Sequence, residues 1–332
     1  MTLLGRTLEQ WLFSDKERLA FLQQWQKADK YNLTTKEFCQ SLVDNGTPTF
    51  QIIGLAGKEA PKQGKRFVDV LEGWFPSVVL SSIRAAESAG QRGVGIQTAI
   101  EQLQGGENIV TKLVQMLAFP YGLTVGAGLY GVYIADKMLS AVEHADGIGL
   151  TVRNLVAGYG PFVAILSACL LVALAIALPN WAGPSRHITN RWPLFSLYRA
   201  AVAATLLKTL ANLTQCGMKL SDALTQAEIR NSAFAKMHIQ AMKEQSIGQS
   251  NLGHILDTQL LLPDELSAMK VLGERVNYTE LLSQSGANHS QHVDKQIAKM
   301  KLWLPKAGLV ITILVLGSLV ISAAYQLYLS FQ

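Results

Sequence analysis

Three runs without a single charged side chain constrain this sequence more than anything else in it. The first lies between Lys112 and Asp136, covers Leu113 to Ala135 and reads LVQMLAFPYGLTVGAGLYGVYIA. The second lies between Arg153 and Arg186, with its apolar centre from Leu155 to Leu178. The third begins after Lys306, has GLVITILVLGSLVISAAYQLYL as its core and stays uncharged to Gln332. At about 1.5 Å per residue, roughly 20 helical residues cross a hydrocarbon core of about 30 Å. Each run is long enough to span a bilayer, and the helix is the open-ended structure that satisfies its own backbone there. Aromatic side chains sit where headgroups would be: Trp181 after the second run, Trp303 before the third, Tyr325 and Tyr328 near its end.

Composition then makes sense. The 332 residues are 49% hydrophobic and only 16% charged, too apolar for a soluble protein and too charged for a many-pass transporter. All 29 basic and 24 acidic residues fall outside the three runs. Intrinsic disorder is excluded by the hydrophobicity, a disulfide scaffold by a count of three cysteines, and a strongly basic nucleic-acid binder by a net charge of only +5.

Lysine and arginine counts orient the chain. There are 13 up to Lys112, two (Lys137 and Arg153) in the short connection, 14 from Arg186 to Lys306 and none in the tail. The positive-inside rule places both long polar segments in the cytoplasm and the short connection outside. The expected division is a cytoplasmic helical bundle over 1–111, membrane helices over 112–135, 155–180 and 304–328, a periplasmic connection over 136–154, a second cytoplasmic bundle over 181–303 and a periplasmic tail over 329–332. The start, MTLLGRTLEQWLFSDKERLAF, is amphipathic and charged and has no small-residue cleavage site, so no secretory signal is expected. Cys39 and Cys216 are then expected in a reducing compartment and Cys169 in the membrane, all as inert thiols.

The two long polar segments look like copies. Phe75-Pro76 is followed eleven residues later by Glu87, and Leu262-Pro263 eleven residues later by Glu274, an offset of 187. The same offset carries Leu33-Thr34 onto Leu220-Ser221, each a hydroxyl at an expected helix N-cap. Both copies run into a membrane span entered at a proline, Phe119-Pro120 and Leu304-Pro305, now 185 apart. Each copy reads as a helical bundle of about 100 residues, with Val79, Ile83, Ala86 and Gly90 on one face in the first and Leu262, Leu266, Met269 and Gly273 in the second. FQIIGLAG (50–57) is the one stretch ambiguous between helix and strand.

A catalytic site does not emerge. Gly57 and Gly64-Lys65 have the wrong spacing for a P-loop, and Arg66 stands where a hydroxyl is required. Gly126, Gly128 and Gly131 match G-x-G-x-x-G inside an uncharged span, where a dinucleotide cradle has no strand or polar site. Gly122 and Gly126 form a G-x-x-x-G pair that would let another helix approach. Ser267 to Lys270 matches S-x-x-K without companion motifs, and His289 and His292, in the polar stretch SQSGANHSQHVDK, read as a solvated linker or helix end. No catalytic residue, cofactor or metal is expected. Glu87 and Glu274 are the polar residues that stand out, each about 80° round its helix from an apolar anchor and needing a partner if half-buried. Arg84 and Lys270 are the local candidates, as ordinary helix-surface pairs.

The signature PLFSLYRAAVAATLLKTLANLTQCGMKLSDALTQA, a proline before a long helix and a turn at Gly217 to Ser221 into a further helix, joins the duplication and the order of the three spans. Together they resemble the type II secretion F family, the polytopic inner-membrane platform proteins of type II secretion systems and type IV pili. Gly273-Glu274 adds to the match, whereas the first copy has Ala86 before its glutamate; with the short chain, this is similar to the branch of bundle-forming, toxin-coregulated and conjugative thin pili. The resemblance implies an all-α membrane protein with two repeated cytoplasmic helical bundles and three transmembrane helices. It implies no enzyme, and a platform coupling a cytoplasmic assembly ATPase to pilin or pseudopilin subunits in the bacterial inner membrane. Other inner-membrane assembly proteins and further copies of the chain are implied partners, with no nucleic acid. It would permit Glu87 and Glu274, with Arg84, Lys270 and Gly273, to form buried contacts, contacts between protomers or a cation ligand. The alternatives are a secretion-system platform and, more distantly, a small secondary transporter; three spans without an internal charge leave the latter little for a substrate path.

Overall fold

The computed structural model describes residues 2–3, 6–104, 109–141, 147–183, 185–229 and 231–331. Residues 142–146 of the connection expected between the first two spans, and 105–108 at the end of the first bundle, lie outside the described residues. Among the described residues the regular structure is helical apart from a two-residue strand pair, Thr2–Leu3 with Arg6–Thr7. In order the helices are α1 (Leu8–Leu12), α2 (Asp15–Lys30), α3 (Thr35–Asn45), α4 (Pro48–Glu59), α5 (Phe67–Val70), α6 (Ser77–Ser88), α7 (Arg92–Gln104) and α8 (Ile109–Leu139). They continue with α9 (Ile148–Asn180), α10 (Ser185–Thr189), α11 (Pro193–Gln215), α12 (Leu220–Glu228), α13 (Ala233–Gln245), α14 (Leu252–Ile255), α15 (Pro263–Leu272) and α16 (Tyr278–Ser330).

The internal repeat is written into the caps. Helices α3, α4 and α5 begin after N-caps Thr34, Thr47 and Arg66; α12, α13 and α14 begin after Lys219, Ser232 and Asn251, each 185 residues on. The turn leaving α2 has Asn32 at φ 57°, and the turn leaving α11 has Gly217 at φ 82°, again 185 on. Gly73 (φ 84°) before α6 is matched by Gln259 (φ 62°) before α15, now 186 on. Left-handed residues are rare enough outside glycine that two such coincidences in register describe one duplicated chain path.

That register corrects the pairing read from proline positions. Pro76 is the N-cap of α6, but Pro263 is the first helical residue of α15, after N-cap Leu262. The prolines are therefore one residue out of step, and the equivalent of Glu87 is Gly273 rather than Glu274. Likewise Ser221 lies inside α12 and Lys219 is its cap, while Thr34 caps α3 as expected, in a reciprocal capping box with Glu37. FQIIGLAG is helical, because Thr47 accepts from the Phe50 amide and Pro48 fixes the first turn of α4. SQSGANHSQHVDK is neither linker nor helix end but the interior of α16.

Two compact units result, one of Met1–Glu107 with Ala182–Gln291 and one of Asn108–Trp181 with His292–Gln332. The first, polar unit thus contains both copies of the repeat. The first copy builds an aromatic core in which Phe21, Trp25, Phe38, Phe50, Phe67 and Phe75 meet mostly edge to face. The second is built on α11, whose buried face is largely leucine and alanine. Helix α6 packs on α11 and α12, and Ser81 Oγ donates to Gln226 Oε1 at 2.9 Å across that seam.

Among the described residues four helices are long and apolar enough to cross a membrane: α8, α9, α11 and α16. Burial separates them. The most apolar window of α11 is 56% buried inside the protein, against 11%, 6% and 17% for α8, α9 and α16. Helix α11 therefore satisfies its apolar surface as a core helix, and the other three leave theirs for lipid, giving an all-α membrane fold with three lipid-exposed spans.

Within the apolar unit the spans meet at small residues, though not at the expected pair. Gly122 and Gly126 have nothing within 4 Å of where a Cβ would stand. The close approaches are at Gly308, where an added Cβ would collide with Pro120 Cβ, and at Gly131, where one would stand 2.7 Å from Leu319 Cδ1. All three glycines of the G-x-G-x-x-G match lie inside continuous α8, which removes the strand and turn that a dinucleotide needs. Polar groups add further links, among them Tyr121 Oη, which donates to Ala164 O at 2.8 Å. Thr124 and Thr312 hydroxyls lie 3.2 Å apart, Arg153 grips Asp136 through two bonds of 2.5 and 3.1 Å, and Gln326 Oε1 accepts the Leu150 amide at 3.0 Å. The last satisfies one of the unpaired donors in the first turn of α9. The rigid Pro120 ring cannot move aside, so Gly308→Leu is expected to part α8 from α16. An oxidative Thr124→Cys/Thr312→Cys crosslink should then form in the parent and be largely lost in the Gly308→Leu background; an undiminished crosslink would show that the contact is not made.

Candidate partner-contact site

Glu87 sits in the last turn of α6, half-buried, on an open cleft of about 600 Å³ lined by Asp29, Glu87 and the turn and helix start from Gly90 to Val94. The cleft exists because Gly90, at φ 72°, reverses the chain so that α7 packs back on α6 and on α2. Arg92, at the start of α7, donates to Asp29 Oδ1 at 2.6 Å and to Thr35 Oγ1 at 3.3 Å, so its charge is consumed by α2 and α3. Arg84, the partner expected for Glu87 from spacing, points elsewhere. Its guanidinium bonds Asp69 Oδ1 at 3.1 Å and also Glu72, fastening α6 to the α5 region. Burial pulls the Asp69 carboxyl upward, but hydrogen bonds and charge from Arg66, with the Arg84 charge, outweigh it and leave the group below its ordinary range.

The Glu87 carboxylate makes no hydrogen bond or ion pair with any described residue, and burial raises its pKa against the opposing fields of Arg92, Arg66 and Arg84. An acid with a raised folded pKa binds protons more readily folded than unfolded. Its penalty is absent below the unfolded pKa and fully present above the folded one. Glu87→Gln is therefore expected to raise the melting temperature modestly at pH 7, with the gain vanishing as pH falls below about 4.5; a constant difference across that range would show that charge is not the cause. Chemically the cleft offers one neutralised carboxylate and one available carboxylate, a place for a cationic side chain. It has no counterpart in the second copy, where Thr214, Gly273 and Tyr278 occupy the positions of Asp29, Glu87 and Arg92. Among the described residues no three His, Cys, Asp or Glu side chains gather for a metal.

Glu274 is placed differently. Helix α15 stops at Leu272, and Glu274 lies exposed in the turn beyond it, not at the edge of a packed helix face. Lys270 turns to Asp257 at 2.6 Å instead. Gly273 is where the sequence pattern meets the packing. A Cβ there would stand 2.5 Å from Met269 O and 2.7 Å from Asn251 Oδ1. Buried Asn251 caps α14 by accepting from the Gly253 amide at 2.8 Å and holds α15 by donating to Lys270 O at 2.9 Å. Sequence inspection missed Asn251, and the solvated place it gave to His289 is corrected by the structure. The latter is fully buried on α16, with Nδ1 2.8 Å from Ser285 O and Nε2 accepting the Leu262 amide at 3.0 Å, so a neutral imidazole carries the cap of α15. No spacing rule finds such a residue, since donor and acceptor are 27 positions apart.

Burial pushes the Cys39 thiol up to about 11 and the Cys216 thiol upward as well, which disfavours the thiolate.

No family model matches the chain. It is 21% identical over 255 residues to the toxin coregulated pilus biosynthesis protein E of Vibrio cholerae serotype O1, covering 73% of this chain and 75% of that protein. That similarity supports the platform-family resemblance carried by the duplication and by the signature over 193–227.

Proposed function

We propose that this chain is an inner-membrane platform for assembling a type IV or conjugative thin pilus, coupling a cytoplasmic assembly ATPase to pilin subunits in the membrane. The observation that carries the reading is a duplicated polar helical unit continuous in sequence with three lipid-exposed helices, in a chain similar across three quarters of its length to a pilus biosynthesis protein. An ATPase in the cytoplasm cannot touch pilin helices held in lipid, so some membrane protein with large cytoplasmic domains has to connect them. Helix α16 suits that coupling, because its 53 residues run unbroken from the second copy of the repeat into the third span.

In this proposal both copies of the repeat are cytoplasmic, over 1–111 and 181–303, with the 136–154 connection and the 329–332 tail in the periplasm. The basic surplus of the long segments supports it. The protein acts without chemistry of its own. Glu87 and Glu274, with Arg84, Lys270 and Gly273 holding their surroundings, are proposed contact residues for the ATPase, another assembly protein or a second copy of the chain. Glu87 offers a carboxylate for a cationic side chain, and Glu274 an exposed one.

Membrane extracts crosslinked and purified through this chain are expected to yield a hexameric ATPase and a pilin, and deletion of the chain to abolish pili. Recovery of a pseudopilin in place of a pilin would move the reading to a secretion platform, and absence of both ATPase and pilin in a piliated cell would overturn it. Glu87→Lys is expected to lower ATPase recovery and piliation several-fold without lowering protein level. If Glu274→Gln leaves both assembly and piliation unchanged, Glu274 has no part in the contact.

A further inference from the structure

The short segment after the second span is folded inside out. In α10 and the turn that follows, Arg186 and Asn190 are buried, 0% and 6% exposed, while Ile188 and Trp192 are 74% and 64% exposed. Polar side chains normally face out and large apolar ones in, and it is the reversal that carries information. The reversal is built rather than accidental. Arg186 donates Nε to Asn190 Oδ1 at 3.2 Å, and its guanidinium stands over Phe195 at 4.3 Å and Phe234 at 4.7 Å, with Tyr198 at 5.8 Å. Trp192 is held as N-cap of α11, its ring edge-on to Phe195 at 6.4 Å. The apolar pair is thus fixed outward by a core that accepts the charge.

The chain's own continuity says what lies outside. Helix α9 ends at Asn180, and Trp181 follows it as the aromatic residue at the end of a span. Three residues, 182–184, separate Trp181 from the start of α10, so the four steps reach at most about 14 Å. The polar layer of a bilayer extends roughly 5–8 Å from each face of the hydrocarbon core, so this segment starts beside it. Exposed Ile188 and Trp192, with exposed Arg191 between them, are an aromatic, an aliphatic and a cation, the side chains that settle at headgroup depth. We infer that residues 185–192 form a membrane-interface anchor in which Ile188 and Trp192 insert at headgroup depth and Arg191 meets anionic lipid. The occupant of this apolar face is lipid, not a protein partner, and the anchor holds the start of α11 at the bilayer surface.

The test uses full-length protein in vesicles of phosphatidylethanolamine and phosphatidylglycerol, with nitroxide labels introduced by Ile188→Cys or Trp192→Cys in a Cys169→Ser background. Cys39 and Cys216 are buried and leave the label to the introduced thiol. Ile247→Cys, at a position 83% exposed, provides the water-facing reference. At 188 and 192 the ratio of oxygen to nickel-chelate collision rates is expected to exceed that at 247 several-fold. A ratio equal to that at 247 would put the segment in water, and exclusion of both collision partners would put it under protein; either result overturns the inference. A second measurement avoids cysteine variants: the share of tryptophan fluorescence quenched by lipid brominated near the headgroup should fall in Trp192→Phe, and an unchanged share would count equally against the anchor.

Discussion

Gly253→Ala is expected to destabilise the polar unit by about 3 kcal/mol, lowering its melting temperature by roughly 6–12 °C at this size. The new Cβ would stand 2.2 Å from Lys270 N, 2.5 Å from Lys270 Cα and 2.5 Å from Met269 C. These are backbone atoms of α15 and cannot rotate away, unlike the end of a side chain, so α14 and α15 must separate. Separation also strains the bond from Asn251 Nδ2 to Lys270 O and the approach of Gly273 to Asn251. The control is Gly248→Ala, where φ is 72° and nothing lies within 4 Å; conformational strain alone there should cost about 1–2 kcal/mol. Thermal unfolding of the full chain in detergent, followed by far-ultraviolet circular dichroism, compares the two. Equal losses would show that the α14–α15 crossing is looser than the geometry requires.

Arg186 gives the second large effect, through a pair of substitutions that should diverge. Arg186→Ala empties a box lined by Phe195, Tyr198 and Phe234 and should cost about 3 kcal/mol, as truncation of a large buried side chain does. Arg186→Met refills the box without charge. Burial lowers the Arg186 pKa to about 10, the Tyr198 oxygen opposing the shift, so keeping the cation inside already carries a desolvation cost. The ring faces offset part of it, each contributing about 0.5–2 kcal/mol. Arg186→Met is therefore expected to fall within about 1 kcal/mol of the parent, and a loss matching that of Arg186→Ala would mean that the charge itself organises the site.

Much of this architecture was legible along the chain. The three spans follow from uncharged length alone, because lipid supplies no hydrogen-bond partners and a helix needs none. The duplication was visible as well, but its register was not. Pairing Pro76 with Pro263 put Glu87 opposite Glu274, whereas the caps and the left-handed residues Asn32, Gly217, Gly73 and Gln259 put Glu87 opposite Gly273. Proline is tolerated both at an N-cap and at the first helical position, so it marks a helix start only to within one residue. A one-residue error was enough to pair a half-buried carboxylate with an exposed one. Spacing also nominated Arg84 and Lys270 as partners of the two glutamates, and both side chains reach across to another part of the fold, to Asp69 with Glu72 and to Asp257. A pair three or four residues apart on a helix contributes only a few tenths of a kcal/mol, so a better-placed carboxylate elsewhere wins.

What the sequence by itself determined is the class and the plan: helices throughout, three spans, a chain path used twice. These rest on length, hydropathy and local capping, which depend on neighbours in sequence. What only the tertiary structure decided is which apolar helix is not a span and which polar groups are not on the surface. Helix α11 has the length and hydropathy of a membrane helix and lies in the core of the polar unit, while Asn251, His289 and Arg186 lie buried with their partners. Burial is set by what packs across a helix, and the residues that do so are dozens of positions away.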